Sequence, residues 1–185
     1  MGRRRPEGGK LPPTALILDQ IEEGFSRLDL ELAAVELDLE DGDFRFVSPL
    51  QVALRFNRSA QTFQVGGQIH GRLEGECCRC LVPVTEEFSV ELQLLLQRQQ
   101  LSGEEREALS DDGDVEIVDP GAKQVDLKER LREAVVLDLP LRVYCSADCK
   151  GLCPQCGHHL NSGACACQAS QPDARWAALR NLKLS

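Results

Sequence analysis

The sequence predicts an α+β fold. It comprises an antiparallel β-sheet or partly open barrel, one main helix, a C-terminal cysteine-rich knuckle and a short terminal helix. Three observations carry this. Apolar and polar residues alternate over long stretches between residues 52 and 96. One helical pattern begins near residue 127. Five of the nine cysteines crowd into the stretch from Cys149 to Cys167.

Each element follows in order. The opening stretch carries Arg3, Arg4, Arg5 and Lys10 against Glu7 alone, and residues 1–14 read as a solvated, disordered basic tail. Leu16, Ile17 and Leu18 suggest a strand, and GFSRLDLEL alternates as a strand does. Val52, Leu54 and Phe56 share one parity. So do Phe63, Val65, Ile69 and Leu73, and then Val82, Val84, Phe88, Val90, Leu92, Leu94 and Leu96. Period two over such lengths marks half-buried strands. The connections are too short for helical crossovers, so the pairing is expected to be antiparallel. Gly66, Gly67, Gly71 and Gly75 point to bulges or bends in the middle strand. GGQIHG lacks the strand–turn–helix setting of a nucleotide loop.

Residues 98–122 read as an acidic loop. Asp126 and Glu129 then form a capping box, and Leu127, Leu131, Ala134 and Val135 mark one helical face. Pro140 ends the helix. A core domain over 15–140 is therefore followed by a cysteine-rich appendage over 141–185. There Asp173 can cap a last helix with Trp176, Leu179 and Leu182 on one side.

The charges exclude some function classes. The formal net charge is -9, which argues against a general grip on phosphate. The acidic run holds Glu104, Glu105, Glu107, Asp111, Asp112, Asp114, Glu116 and Asp119 against Arg106 alone. The appendage is locally basic. Its Arg142, Lys150, Arg175, Arg180 and Lys183 face only Asp148 and Asp173, and these five are the candidate RNA contacts. No apolar run approaches a membrane span, and no signal peptide is evident. The compartment is therefore expected to be reducing, and the cysteines read as metal ligands or thiols before disulfides.

Cys153-Pro154-Gln155-Cys156-Gly157 is a C-x-x-C turn, whose glycine supplies the positive φ such a turn needs. Cys165 and Cys167 form a second, closer pair. Four soft sulfurs suit tetrahedral zinc, so Cys153, Cys156, Cys165 and Cys167 are the primary ligand candidates of a zinc knuckle. Cys77 and Cys80 form another C-x-x-C, and Cys145 and Cys149 a further pair. Either these four make a second metal or redox site, or one pair substitutes in the first. Three other readings are weaker. The C-x3-C-x2-C spacing of Cys149, Cys153 and Cys156 matches radical iron–sulfur enzymes, but the antiparallel strands do not suit that barrel. A redox role for Cys77 and Cys80 needs a helix N-terminus or nearby cations, and only Arg79 is close. His158 and His159 read as solvent-facing loop residues rather than ligands. No catalytic constellation stands out, since His70 has no nucleophile to serve. The expectation is a protein that is not an enzyme and has no small-molecule substrate.

Three stretches resemble the YceD family, named for large ribosomal RNA subunit accumulation. Cys77-Cys78-Arg79-Cys80-Leu81 is similar to its C-x-R-C-L. LREAVVLDLPLRVYC is similar to its helix and following Leu-Pro-x-x-x-x-Cys. CKGLCPQCGHHLNSGACAC with Asp173, Arg175 and Leu179 is similar to its C-terminal signature, although His159 stands where Asn is frequent. The resemblance runs from about Leu16 to the end. It implies a non-enzymatic cytoplasmic factor, in bacteria or plastids, needed for 23S rRNA accumulation and large-subunit biogenesis. Some members lack the C-terminal cysteines, which implies that metal stabilises one branch.

Two mechanisms remain open. The chain binds 23S rRNA or its precursor through the basic residues, or its acidic loop and sheet edge dock onto a basic ribosomal or assembly protein. The other class of function is a zinc-stabilised interaction module or thiol redox switch unrelated to RNA.

Overall fold

The computed structural model describes residues 11–40, 44–100, 115–167 and Arg175. Its strands are β1 (Ala15–Ile17), β2 (Gly24–Leu32), β3 (Arg45–Phe46), β4 (Leu50–Ser59), β5 (Thr62–Glu76), β6 (Pro83–Arg98), β7 (Val115–Val118) and β8 (Gln124–Asp126). The one α-helix described is α1 (Lys128–Asp138). The main sheet runs β2-β4-β5-β6-β7, with β3 also on β5, and β1 pairs β8 separately. The sheet is open rather than a closed barrel, with β2 and β7 as its outer strands.

Period-two patterning places the core. Val52, Leu54 and Phe56 of β4 and Phe63, Val65, Ile69 and Leu73 of β5 are buried, as are Val90, Leu92, Leu94 and Leu96 of β6. Leu127, just before α1, and Leu131 and Val135 within it close over this face, with Ala134 packed against it. Each fully buried Leu, Val or Phe contributes about 1.5–3 kcal/mol of transfer free energy. Leu16, Leu18 and Val125 bring the small β1–β8 ladder into the same core.

Four expectations need correction. First, β7 pairs β6 in parallel, with Leu95 opposite Val115 and Arg98 opposite Val118. Val115–Val118 lay inside the expected 98–122 loop. Its VEIV sequence has the β-branched content of a strand, and the connection from Arg98 is long enough for a parallel crossover. Second, β5 contains no bulge. Its register with β6 is unbroken from Thr62 opposite Gln97 to Glu76 opposite Pro83. The glycines make room instead: a Cβ at Gly67 would lie 2.6 Å from Leu54 Cδ2, and one at Gly71 2.6 Å from the Phe88 ring.

Third, the Asp126–Glu129 capping box does not form. The N-cap residue is Leu127. Asp126 still holds the first turn, because its Oδ1 accepts from the Lys128 N–H at 3.0 Å and from Thr14 Oγ1 at 2.5 Å. Fourth, the described end of the expected 1–14 tail is held in the fold. Thr14 is buried, and the Ala15 N–H donates to the Pro12 carbonyl at 3.0 Å. Residues 1–10, most of the acidic run and the expected terminal helix lie outside the described residues.

Candidate metal centres

Two C-x-x-C turns share one backbone design. In the first, which joins β5 to β6, the Cys77 N–H donates to the Val82 carbonyl at 2.8 Å and the Leu81 N–H to the Cys77 carbonyl at 2.9 Å. In the second, the Cys153 N–H donates to the His158 carbonyl at 2.8 Å and the Gly157 N–H to the Cys153 carbonyl at 2.9 Å. The residue after the second cysteine is left-handed in both: Leu81 has φ 62 and Gly157 φ 71. Glycine takes this conformation freely, while leucine pays roughly 1 kcal/mol. Both turns aim two sulfurs at one point.

Two further segments complete two groups of four. The sulfurs of Cys77, Cys80, Cys145 and Cys149 all lie within 4.8 Å of one another, and so do those of Cys153, Cys156, Cys165 and Cys167. Of the arrangements left open by spacing, the structure thus has two separate tetrads. Cys77 Sγ is 3.8 Å from Cys149 Sγ, and Cys80 Sγ is 3.5 Å from Cys145 Sγ. Sulfurs bound tetrahedrally at a zinc–sulfur distance of about 2.3 Å stand about 3.8 Å apart, so the donor set fits such an ion. All nine cysteines are free thiols, and Cys78 is exposed and in neither tetrad.

The chain between the pairs is fixed by specific bonds. After α1 it passes the first turn, where the Cys78 N–H donates to the Val143 carbonyl at 3.0 Å. Cys77, Cys80 and Cys149 are buried with Val82, Val84, Tyr144 and Leu152 around them. Arg79 donates to the carbonyls of Ala147 at 3.0 Å and Cys149 at 2.9 Å, with its guanidinium 4.7 Å above the Tyr144 ring. Its own carbonyl accepts from the Leu152 N–H at 3.1 Å. A Cβ on Gly151 would meet that carbonyl at 2.8 Å, and Gly151 has φ 75, so the position demands glycine.

Asn161 links the two tetrads. It belongs to the loop that carries the second, yet its Nδ2 donates to Cys149 Sγ at 3.3 Å in the first. Its Oδ1 accepts from the Lys150 N–H at 2.7 Å. Nothing in the sequence marks Asn161, since its role exists only once Cys149 is placed.

The electrostatics show what the tetrads require. Burial resists ionisation of Cys77, but backbone N–H groups of Cys145, Arg79 and Cys80 prevail and lower its pKa to about 6. Backbone N–H groups of Cys156 and Gln155, aided by Cys165, lower Cys153 to about 6. The Asn161 amide lowers Cys149. The opposite happens beside them. The thiols of Cys149 and Cys80 raise Cys145 to about 12, and Cys156, with burial, raises Cys167 to about 12. Four sulfurs this close cannot all ionise against one another, and a divalent cation at the centre removes the conflict.

The other candidates are placed as follows. Arg142 and Lys150 are exposed and make no ion pair among the described residues. Arg175 is exposed, while Arg180 and Lys183 lie outside the described residues. His158 is exposed and His159 half-buried, and neither joins a tetrad. No described helix is long and apolar enough to cross a membrane.

Comparison with known proteins assigns the family. The chain is 31% identical over 171 residues to an uncharacterized protein of Mycobacterium tuberculosis (strain ATCC 25618 / H37Rv), covering 92% of this chain and 75% of that protein. It is 24% identical over 189 residues to the large ribosomal RNA subunit accumulation protein YCED homolog 1, chloroplastic, of Arabidopsis thaliana, covering 91% of this chain and 57% of that one. The maize protein of the same name is 26% identical over 163 residues, covering 76% of this chain and 55% of that one. No solved structure matches the chain. The family model for the large ribosomal RNA subunit accumulation protein YceD matches residues 65–183, which include all nine cysteines, and the chain belongs to that family.

Proposed function

We propose that this chain is a non-enzymatic factor that supports accumulation of 23S rRNA in the cytoplasm by docking onto a basic ribosomal or assembly protein. Zinc fills both tetrads and folds the surface that surrounds them. An all-sulfur, four-ligand set favours zinc over the oxygen-seeking cations.

Charge carries the choice of partner. Each tetrad of four thiolates around one divalent ion holds about two negative charges. Two such centres add to a chain already at -9. Such a body repels phosphate and attracts a cationic protein. One observation supports a second reading, direct contact with rRNA. Arg142 and Lys150 are exposed with no acidic partner among the described residues, and Arg175 is exposed as well. Arg180 and Lys183 would extend that contact.

In-cell crosslinking of the tagged chain separates these readings. The proposal expects a basic protein partner that survives nuclease treatment, with RNA at background. Discrete 23S crosslinks that vanish when Lys150 and Arg175 are reversed in charge would overturn it and establish the rRNA reading.

A further inference from the structure

The outer edge of β2 carries a self-complementary pattern. Among the described residues β2 is the end strand of the sheet and pairs only β4. Among the described residues, no backbone bond meets the groups that β2 turns away from β4. A nine-residue edge whose N–H and C=O groups have no backbone partner among the described residues is a template for another strand. Its two faces differ. Leu28 and Leu30 are half-buried against the core, while Arg27, Asp29 and Phe25 point outward, Phe25 at 88% exposure. Arg27 and Asp29 form an ion pair within the strand at 2.9 Å, with side chains 65% and 62% exposed. An exposed pair of this kind holds its partners weakly, by about 0–1 kcal/mol.

Now place a second copy of β2 antiparallel to the first, centred on Leu28. Arg27 then stands opposite the partner's Asp29, and Asp29 opposite the partner's Arg27. Leu28 meets the partner's Leu28, and Ser26 meets Leu30 across the pair. Arg27, Asp29 and Glu31 fall on the outward face with Phe25, and Leu28 and Leu30 fall on the core face with Ser26, as two-residue periodicity requires. Moving each centre by one residue weakens this match. Centring on Arg27 opposes two arginines, and centring on Asp29 opposes two aspartates between flanking Arg27–Glu31 pairs. A two-fold pair needs a surface that is its own complement, and this register supplies one.

We infer that β2 is a homodimerisation edge, joining two copies of this chain into one continuous sheet through antiparallel β2–β2 pairing centred on Leu28. The occupant is a second copy because the strand's charges complement themselves.

The test is sedimentation or light scattering of the zinc-loaded full chain across a concentration series. The wild type should shift from monomer to dimer. Arg27→Asp opposes carboxylates at both charged pairs, and should raise the dimer dissociation constant about tenfold to a hundredfold. The double variant Arg27→Asp/Asp29→Arg restores opposite charges in the same register, and should recover wild-type dimerisation. Both sites are exposed, so far-UV circular dichroism should be unchanged. A wild type that stays monomeric throughout would overturn the inference, as expected if the edge instead takes a strand from another protein. So would a dimer indifferent to Arg27→Asp, or a double variant that fails to recover.

Discussion

The two four-cysteine centres use the same turn but differ in reach and burial. The first joins the β5–β6 hairpin to the chain beyond α1, and Cys77 and Cys149 lie 72 positions apart. Three of its four cysteines are buried. The second gathers ligands from a single short stretch, Cys153 to Cys167, and only Cys153 is buried. With an ion bound, the first would therefore be a staple across the fold. The second is a local knuckle with little apolar packing of its own. The difference shows how one motif can serve tertiary structure in one place and local order in another.

The largest expected effect comes from stripping both metals. Structural zinc binding to such sites is worth on the order of 10 kcal/mol, all of it coupled to folding. A strong chelator should abolish hydrogen-exchange protection over residues 145–167 while β4–β6 stay protected. Loss of protection throughout the sheet would refute the view that the core stands on its own aliphatic packing.

Next come single ligands. Cys149→Ser and Cys153→Ser should each release one metal, but not at equal cost. The loop closed through Cys77 and Cys149 is roughly five times longer than that closed within the second centre. Its cross-link should be worth about 1.5 kcal/mol more in loop entropy. Urea unfolding would show this as a larger loss of stability for Cys149→Ser. Equal losses would erase the distinction between staple and knuckle.

A smaller effect tests the bridge. Asn161→Ala removes a donor to the Cys149 sulfur and the acceptor of the Lys150 N–H. Loss of such an outer partner should weaken metal binding at the first centre about tenfold, although Asn161 sits in the loop of the second. Competition with a chromophoric chelator would measure it. A change confined to the second centre would contradict the bridging role.

The smallest effect lies in the turns. Leu81 is 57% exposed and left-handed, so Leu81→Gly should be neutral or stabilising by up to about 1 kcal/mol. Gly157→Leu should cost about the same. Thermal unfolding of the pair would reveal opposite signs, and matching signs would show that the turns are not equivalent.

Much of this was legible in the residues themselves. The alternation of Val52, Leu54 and Phe56 and of Val90, Leu92, Leu94 and Leu96 located β4 and β6, because a half-exposed sheet writes its period into the chain. The helix face at Leu127, Leu131 and Val135 was legible for the same reason. β7 was hidden, since VEIV is too short to show a period and sits within acidic residues. The glycines of β5 misled because a missing side chain marks a bulge and a tight cross-strand neighbour alike. In the site, Cys153 and Cys156 announced themselves by spacing. The union of Cys77 and Cys80 with Cys145 and Cys149 was one of two arrangements the spacing allowed, and only tertiary structure, which joins segments so far apart, selects it. Asn161 was beyond reach for that reason too.

The central claim is that two separate four-sulfur metal centres, bridged by Asn161, organise this end of the molecule. Native mass spectrometry of the zinc-loaded chain tests it most directly. The wild type should hold two zinc ions, and Cys149→Ser and Cys153→Ser one each. A wild type holding a single ion, or either variant losing both, would contradict it.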